Sequence, residues 1–320
     1  MERNENFTDF FVLTAKDFLA EKAFPGLLCA YAGGSVGRGE ADAYSDLDLN
    51  IIVEGISDHT SENCRFRGQI IQLHIHPVPT NEAVYENPWS WRYIKEARLI
   101  HDPDGRYLAW LHAMCDYLDS EDGKSKMLAQ GKRIIEEYRA GAKQALSLGR
   151  GYSAFLAAWA SWIGAVQLFA YFYRGTVADR GLYQMMKELG LTDEVERLIK
   201  ESADGKQDLQ ERLKLIAAYR NYLRSQKDEG MFALDPLNDE LLYKKVERMQ
   251  RKEEEARFLL FSEAIWLYLC GDADRWLEEH WESLPTELSL PLKRLGFFEA
   301  DERLIQRIHT ISNEIIAKIG

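Results

Sequence analysis

Cysteine is scarce: Cys29, Cys64, Cys115 and Cys270 are scattered through 320 residues without a CxxC pair. That spacing argues against a zinc ribbon and offers no disulfide framework, so reduced thiols in a cytoplasmic protein are expected. Basic charge is short as well. Forty Lys and Arg stand against 52 Asp and Glu, a formal charge of -12. No surplus remains to neutralise a phosphate backbone, so bulk nucleic-acid binding is not expected. The opening stretch, MERNENFTDFF, has neither the basic nor the apolar region of a secretory signal. No repeat of fixed period and no low-complexity tract occurs. One apolar run, YSAFLAAWASWIGAVQLFAYFYRG, approaches bilayer-spanning length, but Ser153, Ser161 and Gln167 interrupt it. We expect a buried helix there and no membrane association.

What is present is enough apolar material for a core. Hydrophobic residues make up 46% of the chain and aromatics 12%, which argues for a folded protein, and the length suits two domains. Apolar groups recur at helical spacing in FTDFFVLTAKDFLAEK (7–22), which Pro25-Gly26 ends. LLCAYAGG then reads as a buried strand broken by Gly33-Gly34, LDLNIIV (47–53) as a second strand, and GQIIQLHIHPV (68–78) as a third. Helix, strand, turn, strand, strand predicts an α+β domain. Beyond residue 120 strand signals fade. SKMLAQGKRIIEEYRAGAKQALSLG, the apolar run, GLYQMMKELG, TDEVERLIKES and DLQERLKLIAAYRNYLRSQ all read as helices. KDEGMFALDPLND (227–239) reads as a loop or linker. ELLYKKVERMQRKEEEARFLLFSEAIWLYLCG reads as one long helical run whose charged middle is a solvated face, and ADERLIQRIHTISNEIIAKIG as a last helix. The expected domains are 1–118, a mixed sheet with helices, and 119–320, a mostly α-helical bundle able to bind substrate.

The chemistry concentrates in YAGGSVGRGEADAYSDLDLNIIV (31–53). A strand that breaks into Gly33-Gly34-Ser35 can turn backbone N–H groups toward phosphate oxygens, with the Ser35 hydroxyl as a further donor. The Lys-Ser/Thr of a P-loop is missing, which excludes that motif. Asp46 and Asp48 are two apart, so they share one face of the second strand while Leu47 and Leu49 point inward. Adjacent carboxylates repel unless a cation lies between them, and hard cations prefer oxygen ligands. Arg38 is either a phosphate contact or an exposed loop arginine.

Together, Gly34-Ser35, Asp46-Leu47-Asp48 and LNIIV resemble the polymerase-beta-like nucleotidyltransferase superfamily, and the overall plan looks most like its aminoglycoside and lincosamide branch. Close matching covers residues 30–54, with looser agreement to about 110. The resemblance implies that the turn Gly33, Gly34 and Ser35 holds the phosphates of an NTP, for which ATP is the expectation, with Arg38 a candidate to join them. It implies that Asp46 and Asp48 hold Mg²⁺, or alternatively Mn²⁺. It also implies a small-molecule hydroxyl acceptor, with an aminoglycoside-like polycation as the example. LIHDPDG resembles a strand and turn that follow the catalytic strands in that branch.

One departure stands out. The family supplies a third carboxylate from a neighbouring strand, yet GQIIQLHIHPV contains no Asp or Glu; Glu62 precedes it and Glu82 follows. Gln72, His74 and His76 share one strand face. We take His74 for the third position, with Gln72 next. A histidine there suits Mg²⁺ poorly but can serve as a general base near neutrality. Glu82, Glu86 and Glu96 are further base candidates by position. Trp89, Trp91 and Tyr93 either line an acceptor pocket or pack the core. The alternative function is a nucleotide-binding regulatory or toxin–antitoxin-type module with reduced or lost catalysis.

Overall fold

The computed structural model describes residues 7–176, 178, 182–189, 208–227, 231–249 and 252–319. The helix expected over TDEVERLIKES lies outside the described residues. The chain sorts into two compact units, Met1–Leu128 with Asp235–Arg248, and Ala129–Leu234 with Met249–Gly320. A segment from late in the sequence therefore belongs with the sheet.

The first unit holds a five-stranded mixed sheet, β1 (Leu27–Ala32), β2 (Leu47–Val53), β3 (Thr60–Phe66), β4 (Gln69–His76) and β5 (Arg98–His101), in the order β3-β4-β2-β1-β5. Only β2 and β4 run parallel. Alternation in β2 drives the architecture. Leu47, Leu49 and Ile51 are fully buried on one face, where they join Phe11, Ala15 and Phe18 of α1 (Phe7–Lys22) in the main core. Their neighbours Asp48 and Asn50 point to the opposite face. The α+β expectation holds, and the other described residues are largely helical.

Several elements differ from the sequence reading. Strand β3, TSENCRF, is an edge strand whose residues are mostly exposed or half-buried, so it carries little hydrophobic signal. It pairs with β4 through the two-residue turn Arg67-Gly68, both at positive φ (47° and 80°), the backbone of a type I′ hairpin. The long run over 240–271 is not one helix. Leu237–Arg248 and Glu253–Asp272 are separate elements. The charged middle marks helix ends: Lys245 and Arg248 occupy the last turn of the first, and Glu253, Glu254 and Glu255 the first turn of the second. Each set complements the helix dipole. The stretch 227–239 is likewise not all linker, since Phe232–Leu234 forms a short 3₁₀ turn and the next helix begins at Leu237.

In the second unit the apolar helix Gly151–Arg174 is buried along most of its length, and helix Glu302–Ala317 packs along it. It is the one described helix long and apolar enough to cross a membrane. Arg139 donates to Ser312 Oγ (2.9 Å), which donates to the Ser161 carbonyl (3.2 Å), tying three helices together. A second polar thread runs through Tyr219, His280 and Asp272, all buried. A carboxylate only accepts, so His280 Nδ1 donates to Asp272 Oδ2 (2.6 Å) and Nε2 accepts from the Tyr219 hydroxyl (2.7 Å). Asp272 also pairs with Arg275 Nε at 2.9 Å.

Candidate functional site

The turn and the aspartates meet because β1 and β2 are antiparallel neighbours. Gly33 N–H donates to the Asp48 carbonyl (2.8 Å), and the chain then enters the short helix Gly34–Arg38. Gly34 sits at φ +55°, and a Cβ there would lie 1.9 Å from Asp48 Oδ2. No other residue fits so close to that carboxylate. The glycine pair thus lets a backbone turn lie directly against an acid.

The loop between turn and strand is held by its own polar groups. Ser35 Oγ donates to Ser45 Oγ (3.1 Å). Ser45 Oγ also accepts from Asp42 N–H (2.9 Å) and donates to Asp42 Oδ1 (3.3 Å), while Tyr44 N–H donates to the same oxygen (3.0 Å). Ser45 is buried, and the residue after it is Asp46, 8% exposed. A hydrogen-bonded chain therefore links the Ser35 hydroxyl to the entry of the acidic strand.

Burial and the nearby Asp46 charge push the Asp48 carboxyl up, to about 7. Lys245 and Arg38 oppose that rise but do not cancel it. Lys245 comes from helix Leu237–Arg248, its Nζ 4.0 Å from Asp46 Oδ2, and Arg248 of the same helix reaches Asp42 Oδ2 at 3.4 Å. That helix is anchored to the sheet by Arg65 with Glu240, and by Asn63 Nδ2 donating to Asn238 Oδ1 (3.2 Å). Nothing in the local sequence marks Lys245 as part of the site, since the contact spans about 200 residues.

The register of β2 and β4 decides what faces the aspartates. Asp48 is paired with Gln72, and His74 with Asn50. The sequence put His74 ahead of Gln72 for the third position; the register puts Gln72 there. With its amide nitrogen turned toward the acids, Gln72 donates to Asp46 Oδ2 (3.1 Å) and Asp48 Oδ1 (3.0 Å). His74 Nδ1 instead bonds the Ser61 hydroxyl (2.8 Å), and His76 Nε2 bonds Asn50 Oδ1 (2.9 Å). Both imidazoles are lowered to about 4, by burial first and then by neighbouring His59. His74 is therefore neutral at pH 7 and a weaker base than a free histidine.

The remaining candidates disperse. Arg38 Nη1 pairs with Glu96 Oε2 (2.7 Å) and its Nε with Glu40 (3.0 Å), so those two sequence candidates neutralise each other. Glu82 and Glu86 are exposed on helix Asn81–Glu86. Trp89 is buried and Tyr93 is 51% exposed, with the Arg92 guanidinium 4.2 Å from each ring. Trp91 meets Trp110 edge to face at 6.1 Å.

Among the described residues no group of three or more His, Cys, Asp or Glu is placed to hold a metal ion. The groups that face one another here are two carboxylates and an amide. Two carboxylates forced together, one of them pushed well above its ordinary range, still fit a hard divalent cation, with substrate oxygens and water completing the shell.

No family model and no curated protein matches the sequence. Among solved structures, a nucleotidyltransferase-like protein from Exiguobacterium sibiricum 255-15 matches at 13% identity and TM-score 0.33, covering 96% of this chain and 91% of that one. A superposition that loose transfers neither activity nor site to this chain.

Proposed function

We propose that this chain is a nucleotidyltransferase that moves a nucleoside monophosphate from an NTP, ATP in the first instance, to a hydroxyl of a small molecule. The observation that carries the reading is the hydrogen bond from Gly33 N–H to the Asp48 carbonyl at 2.8 Å. It holds a glycine-serine turn suited to phosphate oxygens against a carboxylate pair suited to a cation. A divalent ion held by Asp46 and Asp48, Mg²⁺ or Mn²⁺, would supply charge neutralisation for the triphosphate.

The chain's own residues account for the rest. The Gly33–Ser35 turn orients the phosphates, and the Ser35–Ser45–Asp42 hydrogen bonds keep that turn in register with Asp46. Lys245 and Arg248 add positive charge at the acidic rim. The acceptor oxygen bonds to the α-phosphorus as the bond to pyrophosphate breaks, and the hydroxyl proton leaves to a base. The net acidity of the chain suits a polycationic acceptor such as an aminoglycoside.

Full-length protein incubated with labelled NTPs, Mg²⁺ or Mn²⁺ and an acceptor panel should yield labelled product and pyrophosphate. The Asp46→Asn/Asp48→Asn variant should lose more than about a hundredfold of that transfer, beyond the cost of losing a residue outside the ligand sphere. Transfer that survives the double substitution would remove the role given to the pair.

One observation favours a second reading. The position facing the aspartates holds a neutral amide, and His74 is a weak base there. A nucleotide-binding module with reduced or lost catalysis would show NTP binding by calorimetry and no transfer to any acceptor.

A further inference from the structure

We infer that the helical unit carries an oxyanion site built on Arg212, where the first turns of two long helices lie side by side, and that it takes the phosphate or carboxylate group of a small ligand. Helix Leu209–Gln226 and helix Glu253–Asp272 pack against each other. They run in the same direction: Arg220 of the first pairs with Glu263 of the second, and further along the Leu223 side chain meets Gly271. Their N-termini therefore share one end, where unpaired N–H groups and both dipoles favour negative charge. The N-cap residues, Asp208 and Lys252, make no side-chain capping bond.

Arg212 is the side chain that points to a ligand. It stands in the first turn of its helix, 1% exposed, and its Nε and Nη1 have no hydrogen-bond partner. A helical side chain leans toward the N-terminus of its own helix, which carries the guanidinium to the shared end. The charges that act on it are Arg257 and Glu253, both near the start of the second helix, and burial with Arg257 pushes it down to about 10.

The nearby acids are already engaged. Arg257 donates to Glu253 Oε1 through both Nε and Nη2. Glu254 accepts from the Tyr183 hydroxyl (3.0 Å), and Glu255 pairs with Lys252 (3.0 Å). Asp208 and Glu211 are exposed. Two guanidiniums thus share one carboxylate, and Arg212 keeps a buried charge with two of its three nitrogens unmet. Such a charge is costly until something neutralises it. The flat fork of a guanidinium matches two oxygens of a phosphate or carboxylate. Helix ends open more readily than helix middles, and that opening admits the anion.

The test is calorimetric titration and thermal melting of the metal-free full chain in sodium phosphate, and separately in sodium acetate, against chloride at matched ionic strength. Wild type should bind one of the two anions and melt about 2–4 °C higher at roughly ten times its Kd. The stronger of the two identifies the group the site takes. Arg212→Met should melt higher than wild type in chloride, because the unmet charge is gone, and should gain nothing from either anion. Arg212→Lys, which keeps the charge and loses the fork, should bind about tenfold more weakly. If Arg212→Met does not fold by circular dichroism, Arg212→Lys carries the test, and unchanged affinity there would overturn the site. An equal gain in wild type and Arg212→Met would overturn it too, since anions held at the Gly33–Ser35 turn act on both alike. No gain in wild type would overturn it and leave the transferase reading, which needs metal and nucleotide, where it stands.

Discussion

Two polar clusters in this molecule each hold a buried aspartate and differ in balance. In the helical unit, Tyr219, His280 and Asp272 form a chain in which each donor meets an acceptor, closed by Arg275. In the sheet unit, Asp46 and Asp48 stand side by side and burial pushes Asp48 up to about 7. The first arrangement is what a buried polar network needs to hold a fold together. The second costs stability, and under the function proposed above a bound cation would offset that cost. Complementary partners hold the first cluster together, and the second is the like-charge pair on which the proposed function rests.

The comparison can be broken at its strong end first. His280→Ala leaves Asp272 and Tyr219 without their shared partner and opens a cavity, so stability should fall by about 3–5 kcal/mol. Mn²⁺ affinity of the folded fraction should stay at the wild-type value, and a parallel loss would contradict the division between clusters. Gly34→Ala acts on the other cluster. Its methyl meets Asp48 Oδ2 in a left-handed conformation, so urea denaturation should show about 1–3 kcal/mol lost, together with the Mn²⁺ affinity.

Asp48→Asn should move stability the opposite way. Removing one of two repelling charges should stabilise the chelator-treated protein by about 0.5–2 kcal/mol, read by thermal melting, while abolishing Mn²⁺ binding. A destabilised variant would mean that the pair is not strained.

Acid should act on the neutral imidazoles. Burial lowers His280 below its ordinary 6.5, so the folded state resists protonation where the unfolded chain accepts it. The stability held above 6.5 is then lost as pH falls toward the folded pKa. His74 and His76, both at about 4, add to the same loss. Urea midpoints between pH 7.5 and 4.5 should fall in wild type and fall less steeply in His280→Gln. An identical slope would remove His280 from the account.

What could be read from the sequence follows the range of the interaction. The Gly33–Ser35 turn, the β2 alternation and the shared face of Asp46 and Asp48 are local, and the structure shows each. That Gln72, His74 and His76 share a face was also legible. Which of them meets Asp48 was not, because that is set by a parallel register, and β4 reaches it by way of the β3 hairpin. Strand β3 was missed because an edge strand of polar residues has no core-facing pattern to detect. The helix bearing Lys245 was legible as a helix, but its place beside Asp46 depends on a contact far along the chain.

The route of the chain has a consequence during synthesis. All five strands have been made by residue 101, yet Asn238, Lys245 and Arg248 come only with the helix that ends at residue 248. At roughly 5–20 residues per second, the sheet waits on the order of ten seconds for that helix to leave the ribosome. Until then the acidic pair lacks its lysine, and a nascent chain stalled before residue 237 would carry the whole sheet but an unfinished site.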